Sequence, residues 1–564
     1  MLLEFEGRAR LYRGAAQVVE ARRPDQVAPA LERLRGRHAA GFVAFEAGHA
    51  LEAKLAPLAR PSGPEQPPLL WFGLFDGWQD IDVEALLPDP DGAWSGRPSP
   101  LVGREAHEAA IGRALEHIFA GDIYQANLTF PAEVAVAGHP LALYAAIRPR
   151  ARAGWGGIVF TGRHWLLSFS PELFFTLAQG RVTARPMKGT APAGSDAEAL
   201  RGDPKQRAEN LMIVDLLRND LSRMSKPGTV QVPSLFEVET YPTVLQMTST
   251  VVGTLEEGRD AVDLLRTIFP CGSVTGAPKI RAMEIIAALE REQRGVYTGS
   301  IGGLAPDGQA AFNVAIRTLV LRDGASVARI GLGSGIVADS VAAEEWRECL
   351  AKGEFVATAP RFDLIETMRF DPHDGIPELD RHLARMKRSA EALGFGFDRH
   401  HARNELQAAT FFLREARKLR LRLSPSGAMA IEARPLPGSP EGPVEVALAP
   451  LPVEREDFRL RHKTSDRGFY DDARAAAGTF EAVFVDPEGF LTEGSFTSLF
   501  VERGGRLLTP PLARGLLPGV LRAALLDEGR AEEADLRAED LEGGFFVGNA
   551  VRGLIPAVLA PASP

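Results

Sequence analysis

The chain changes its pattern between residues 355 and 361, and that break constrains the fold more than any other feature. Before it, a helical stretch carries Glu345, Glu348 and Lys352; after it, Phe362-Asp363-Leu364-Ile365-Glu366-Thr367-Met368-Arg369-Phe370 starts a new unit. A chain of 564 residues also exceeds what one hydrophobic core can hold, so at least two domains are expected. The boundaries read as 1–357, with 1–100 as an N-terminal subregion, and 358–564.

Composition matters chiefly for what it excludes. The net charge of −10, from 74 acidic against 64 basic residues, leaves no electrostatic footprint for nucleic acid. Cys271 and Cys349 are too few for a disulfide framework and lack metal-ligand spacing, as expected of a reducing cytoplasm. Neither lies in a glycine-flanked nucleophile elbow, so no glutaminase is expected within the chain. The start, Met1-Leu2-Leu3-Glu4-Phe5-Glu6, lacks the pattern of a signal peptide, and no apolar run has membrane-spanning length. A soluble, unexported protein with no membrane partner is expected.

Residues 1–100 alternate short apolar runs with proline-rich connectors at 57–68 and 87–100. Ala110, Ile111, Ala114, Leu115 and Ile118 recur at helical spacing and Gly121 ends that helix. A strand is expected from Asp122 onward, then strands at 155–160 and 165–169.

Several residues could carry chemistry. In Arg185-Pro186-Met187-Lys188-Gly189-Thr190, a lysine between a proline-fixed segment and a glycine is poorly placed for a helix, so its amine suits a cavity rim as well as an exposed loop. Glu172, at the end of an apolar strand, is either a satisfied edge residue or an acid or base aimed into a cavity. Glu209 opens a helix with Leu211, Val214, Leu217 and Leu221 at a period near 3.6, where it could simply complement the helix dipole. Glu345, Glu348 and Lys352 share one helix face, which could equally be a solvated ion-pair face. Gly331-Leu332-Gly333-Ser334-Gly335 lacks dinucleotide-loop spacing and runs into strand-like Ile336-Val337-Ala338; its glycines let backbone N–H groups approach a carboxylate. Arg317 can fork onto a carboxylate.

Ser168-Phe169-Ser170-Pro171-Glu172, the stretch around Glu209, Gly272-Ser273-Val274-Thr275-Gly276-Ala277-Pro278-Lys279, the Gly331–Ser340 run and Glu344-Glu345-Trp346-Arg347-Glu348 stand in an order that resembles the chorismate-utilising enzymes. That family includes anthranilate, isochorismate and aminodeoxychorismate synthases. The resemblance implies a two-sheet domain like anthranilate synthase component I. It implies magnesium on Glu209 and Glu348 with Glu345 as an outer partner, proton transfer by Glu172, and a pocket lined by Arg317, Thr275, Gly333, Ser334, Gly335 and Lys352. Lysine at 188, where anthranilate synthases usually have alanine, points to aminodeoxychorismate synthase. There the amine forms an adduct at ring carbon 2 of chorismate before ammonia adds at carbon 4. A histidine common in the segment matching Tyr241-Pro242-Thr243-Val244-Leu245-Gln246-Met247 is Gln246 here, so an acid role for it is lost.

From residue 362 onward, Arg381-His382-Leu383-Ala384-Arg385-Met386, His462-Lys463-Thr464-Ser465-Asp466-Arg467, Leu491-Thr492-Glu493-Gly494-Ser495, Gly515 to Arg522 and Val547 to Gly553 together resemble the fold-type IV pyridoxal-phosphate (PLP) enzymes. This group holds aminodeoxychorismate lyases and branched-chain and D-amino-acid aminotransferases. The resemblance implies that Lys463 carries the cofactor covalently and that Glu493 keeps the pyridine nitrogen protonated. It seats the phosphate on the N–H groups of Val520 and Leu521, completed by Arg385 and Asn549. An asparagine common after the Glu-Gly-Ser segment is Ser498 here, and residues 435–452 read as a proline-rich connector.

The two resemblances together imply an α+β and α/β two-domain enzyme of 4-aminobenzoate synthesis, acting on chorismate and ammonia. The ammonia would come from a separate glutamine amidotransferase subunit, and the second domain would suit a homodimer. The competing expectation is an anthranilate-synthase-like domain fused to an aminotransferase-like or non-catalytic dimerisation domain.

Overall fold

The structure, a computed structural model, describes residues 1–561 apart from Arg152, Ala193, residues 241–243 and Ala359. Tyr241-Pro242-Thr243, part of the segment before Gln246, thus lies outside the described residues. The chain divides into two compact units: Met1–Leu87, Arg97–Val134 and Ile147–Ala357 form the first, while Pro88–Gly96, Ala135–Ala146 and Thr358–Pro564 form the second.

The first unit rests on two antiparallel sheets. One carries Leu2–Phe5, Gly157–Phe160, His164–Ser168, Thr318–Arg322 and Val327–Ile336; the other carries His38–Val43, Leu70–Phe75, Leu173–Ala178, Met187–Pro192 and Val244–Thr254. Their inner faces meet in a core of Leu3, Val159 and Leu166 from the first against Phe42, Trp71 and Ile301 from the second. Each such fully buried side chain contributes roughly 1.5–3 kcal/mol, more than the roughly 0–1 kcal/mol of a surface ion pair. Helices cover the outer faces. Arg104–Phe119 and Lys279–Leu289 pack Ile111 and Ile285 against Leu128 and Ile336, and Pro204–Ser222 packs Ile213, Val214 and Leu217 into a larger core with Phe174, Phe175 and Phe312.

The Pro204–Ser222 helix corrects one expectation. Asp203 caps it, accepting from the Gln206 N–H at 2.9 Å, with Pro204 in the first turn. Glu209 therefore sits in the second turn, beyond the reach of a simple dipole role. Leu211 points to solvent, because the buried face runs through Ile213, Val214, Leu217 and Leu221.

The second unit has a three-stranded sheet, Leu364–Phe370, Arg417–Leu423 and Met429–Pro435, packed on the helices Leu379–Leu393 and Arg399–Thr410. Trp94, from the Pro88–Gly96 segment, joins that core. A larger mixed sheet follows. The expected connector at 435–452 is wrong in its second half: Val444–Pro450 is an interior strand, parallel to both Glu481–Val485 and Gly553–Leu559. Buried Val444 and Val446 alternate with exposed Glu445, a strand signal masked by the surrounding prolines.

Candidate active sites

Lys188 lies where the Met187–Pro192 strand loses register with Val244–Thr254: Met187 pairs with Thr248 but Thr190 with Gln246. Gly189, at φ +91°, supplies the backbone conformation of this bulge, which re-aims the neighbouring side chain. The Gln246 amide donates to the Gly189 carbonyl at 2.9 Å, and Asn210 donates to the Lys188 carbonyl at 3.4 Å. The position where a histidine acid was expected to be missing thus helps shape the lysine's loop.

The amine enters a cavity of about 530 Å³. Its walls include Glu172, Glu209, Arg317, Glu345, Glu348 and Lys352, drawn from two sheets and two helices. Burial lowers the Lys188 pKa, and the Lys352 charge lowers it further against the opposing pull of Glu172, Glu209 and Glu348. Glu172 is 5% exposed, and one of its carboxyl oxygens, Oε1, has no hydrogen-bond partner. Burial pushes its pKa up to about 7, opposed by a Ser273 hydrogen bond and the charges of Lys188 and Lys352. A carboxyl poised there can give or take a proton near neutrality.

Glu209 is raised by burial and by repulsion from Glu348. Burial also pushes Glu348 up, but Lys352, whose Nζ lies 2.7 Å from its Oε1, outweighs this and leaves it low. Glu345 accepts from the Ser340 hydroxyl at 2.7 Å. Among the described residues no group of three or more acidic, histidine or cysteine side chains forms a ready metal cage. Two hard carboxylates facing one cavity nevertheless fit magnesium, which keeps water and substrate oxygens in its shell.

Arg317 has φ +49°, a conformation rare outside glycine, and its guanidinium lies 5.8 Å over the Phe355 ring. Gly331, Gly333 and Gly335 alternate along Val327–Ile336 and so share a face. A Cβ on Gly331 would strike the Tyr297 ring at 2.1 Å, one on Gly333 the Thr129 side chain at 2.6 Å, and one on Gly335 would come within 3.3 Å of Lys188 Nζ. The run is glycine-rich because other side chains occupy that face. Gly333 presents its carbonyl to Lys352 Nζ at 3.1 Å.

Two expected pocket residues sit behind the wall. Thr275 is fully buried, and its hydroxyl donates to the Cys271 and Gly272 carbonyls. Ser334 is 1% exposed on the face opposite the glycines. Ser273, two positions before Thr275 in the same motif, lines the cavity in its place and bonds Glu172. Lys205, also unforeseen, stands at the cavity and pairs with Asp339 at 2.9 Å.

In the second unit Lys463 follows a short helical turn, its carbonyl accepting from Ile365 at 2.8 Å. Burial, then the charges of Arg467 and Arg385, lower its pKa to about 7. Glu493 is buried, and its Oε1 accepts from the Tyr470 hydroxyl at 2.6 Å and the Leu517 N–H at 3.0 Å. Arg385 grips Glu366 through Nε at 2.8 Å and Nη2 at 2.7 Å, with His382 on the same carboxylate at 2.7 Å. Burial raises Glu366, but these partners prevail and hold it at about 2. Arg385 also donates to the Pro518 carbonyl at 3.1 Å, beside Gly519, which starts the Val520–Asp527 helix without a side-chain cap. Ser498 Oγ lies 2.5 Å from where a Gly519 Cβ would be. Asn549 is committed to the backbone: it donates to Phe496 and accepts from Val551 and Arg552. A lysine with a lowered pKa, a buried carboxylate and an uncapped helix start fit a phosphorylated pyridine cofactor.

Residues 4–358 match the family of chorismate binding enzymes. The chain belongs to that family. Behind the chorismate-binding part, residues 363–559 match the class IV aminotransferases, so the chain joins the two expected folds. It is 46% identical over 265 residues to anthranilate synthase component 1 of Streptomyces coelicolor, covering 44% of this chain and 50% of that one. It is 41% identical over 258 residues to aminodeoxychorismate synthase component 1 of Klebsiella aerogenes, covering 44% and 57%. The chain thus spans little more than half the length of these curated relatives. Anthranilate synthase component I from Streptococcus pneumoniae superposes with a TM-score of 0.55 at 26% identity, over 63% of this chain and 92% of that one. In this chorismate-binding enzyme, Ser273 was within reach of sequence reasoning, since it stands inside the quoted motif. Arg467, beside Lys463, stands inside a quoted motif in the same way, while Tyr470, beside Glu493, had no such signal.

Proposed function

We propose that the chain converts chorismate and ammonia to 4-amino-4-deoxychorismate and then releases pyruvate from it, giving 4-aminobenzoate. What carries this reading is the convergence of the Lys188 amine on the same cavity as Glu172, Glu209, Glu348 and Arg317. Kinship with aminodeoxychorismate synthase component 1 favours it as well.

In the first unit, Arg317 holds a carboxylate of the substrate in its fork. Glu209 and Glu348 would hold a magnesium ion, which would supply positive charge against the ring carboxylate. Neutral Lys188 attacks ring carbon 2; both ring double bonds shift one place toward carbon 4, the carbon 4 hydroxyl leaves as water on a proton from Glu172, and the proton lost by the lysine restores that acid. Ammonia then adds at carbon 4 and expels the lysine, which recovers its amine. A separate glutaminase subunit is the proposed ammonia source.

In the second unit, PLP would be held by Lys463, Glu493 and the helix start at Val520 and Leu521, and would supply an electron sink when bound. Lys463, with its pKa near neutrality, can move the proton that leaves the ring as it becomes aromatic. Arg385 and Glu366 keep the wall beside it fixed and charge-balanced.

The test is product analysis from chorismate and ammonium, with and without PLP. 4-Aminobenzoate and pyruvate should form only with PLP, and 4-amino-4-deoxychorismate should accumulate without it. Anthranilate as the product, regardless of PLP, would overturn the reading.

A further inference from the structure

Gln125 takes no part in the chemistry above. It opens the Gln125–Ala137 strand, which lies between Gly276–Ala277 and Val327–Ile336. Ala126 and Leu128 turn to the core they share with Ile111 and Ile285, while Asn127, on the opposite face, lines the cavity that holds Lys188. By strand alternation Gln125 shares the face of Asn127. Glycines on both neighbouring strands leave it room: a Cβ on Gly276 would strike the Gln125 carbonyl at 2.2 Å, and one on Gly335 its Nε2 at 2.7 Å.

The side chain is 1% exposed, and neither its Oε1 nor its Nε2 has a hydrogen-bond partner among the described residues. Buried carboxamides are normally paired, because desolvating them unpaired is costly, so the fold gains nothing from this one. Its neighbour is the amine of Lys188. Lys188 Nζ lies 3.3 Å from the point that a Gly335 Cβ would occupy, the same point that Gln125 Nε2 approaches to 2.7 Å. Among the described residues no hydrogen bond fixes that amine.

We propose that Gln125 is a positioning residue for Lys188: its Oε1 accepts one N–H of the amine and so turns the nitrogen lone pair toward the ring carbon under attack. The carboxamide, bonded to nothing else, can present either end by a half-turn of its last torsion. An uncharged acceptor suits this task. A carboxylate in its place would favour the ammonium form, which has no lone pair to give. The inference rests on the covalent role given to Lys188 above.

Chorismate supplied to the full chain with magnesium but without ammonia tests it. The bond from Lys188 Nζ to carbon 2 then forms, the bond from carbon 4 to its hydroxyl oxygen breaks and one water leaves. The chain gains the mass of chorismate less water, and the rate of that gain in intact-mass spectrometry reads the attack itself. Gln125→Met, similar in length and volume, should slow the gain by about tenfold or more. It should leave the calorimetric Kd for chorismate unchanged, and it should not lower Tm, because two unpaired buried atoms are removed. An undiminished rate overturns the inference, as does a slower rate accompanied by a weaker Kd or a lower Tm. Lys188→Ala separates this result from the reading it rests on. If the unaltered chain gains no such mass, or Lys188→Ala gains it equally, the covalent role fails and takes this inference with it. If Lys188→Ala gains none while Gln125→Met reacts at the full rate, only the positioning role falls.

Discussion

The two units use a buried lysine in contrasting electrostatic settings. Lys188 faces three carboxylates, Glu172, Glu209 and Glu348, with Lys352 as the cation that helps lower its pKa. Glu209 and Glu348 repel one another, and of the two only Glu348 has a close ion-pair partner, Lys352. Around Lys463 the carboxylates already have donors: Glu366 is locked by Arg385 and His382, and Glu493 is held by Tyr470 and Leu517. One buried lysine thus faces carboxylates that are still partly unpaired, and the other lies beside carboxylates whose donors are already in place. The first should depend on added cations; the second should not.

The largest expected effects are complementary. Lys463→Ala should abolish PLP-dependent pyruvate release and the absorption band gained on adding PLP, while 4-amino-4-deoxychorismate still accumulates. Lys188→Ala should lower that first product at least about 100-fold and leave the second step intact when its substrate is supplied. If either variant silences both steps, the two sites are not separate in the way described. Chelation of divalent cations sharpens the contrast: the first step should stop on adding a chelator and recover with magnesium, while pyruvate release from supplied 4-amino-4-deoxychorismate continues unchanged.

Glu172→Gln should lower first-step turnover by about 10²–10⁴-fold and remove a fall in rate above pH about 7, where the wild-type carboxyl loses its proton. The same change should stabilise the unit. With a folded pKa of about 7 against an ordinary 4.5, ionisation favours the unfolded chain as pH rises through that window. The variant's advantage should therefore be full above pH 7, on the order of 3 kcal/mol, and vanish below about 4.5. A melting curve at pH 8 and at pH 4 reads it directly.

Arg317→Lys, which removes the fork but keeps the charge, should raise KM for chorismate by roughly 10–100-fold. Asn549→Ala should be the mildest. Its hydrogen bonds go to backbone, so thermal unfolding should show a loss of about 1–2 kcal/mol, with little change in PLP affinity. A large loss of affinity would return Asn549 to the cofactor.

Much of the site was legible where chemistry is written into short-range constraints. A lysine between proline and glycine is poorly placed for a helix, and it lies instead at a bulge within a strand. An acid closing an apolar strand faces the cavity, and Glu345, Glu348 and Lys352 share a helix face. Where two neighbours could serve, local pattern failed. Thr275 and Ser273 belong to one motif, but the Gly272–Val274 helical turn sends Ser273 to the cavity and Thr275 to backbone carbonyls. Asn549 looked like a phosphate ligand until its turn was seen to consume it.

The sequence by itself pointed to more than one unit, to the family the first resembles, and to Lys188 and Lys463 as candidate amines, because residue identity and short periodicity are properties of neighbours along the chain. Only the tertiary structure decided that Lys188 meets Glu209 and Glu348, that Glu366 neutralises Arg385, and that Val444–Pro450 is an interior strand. Those facts depend on strand pairing and burial across long separations, and burial is what moves a lysine's proton affinity.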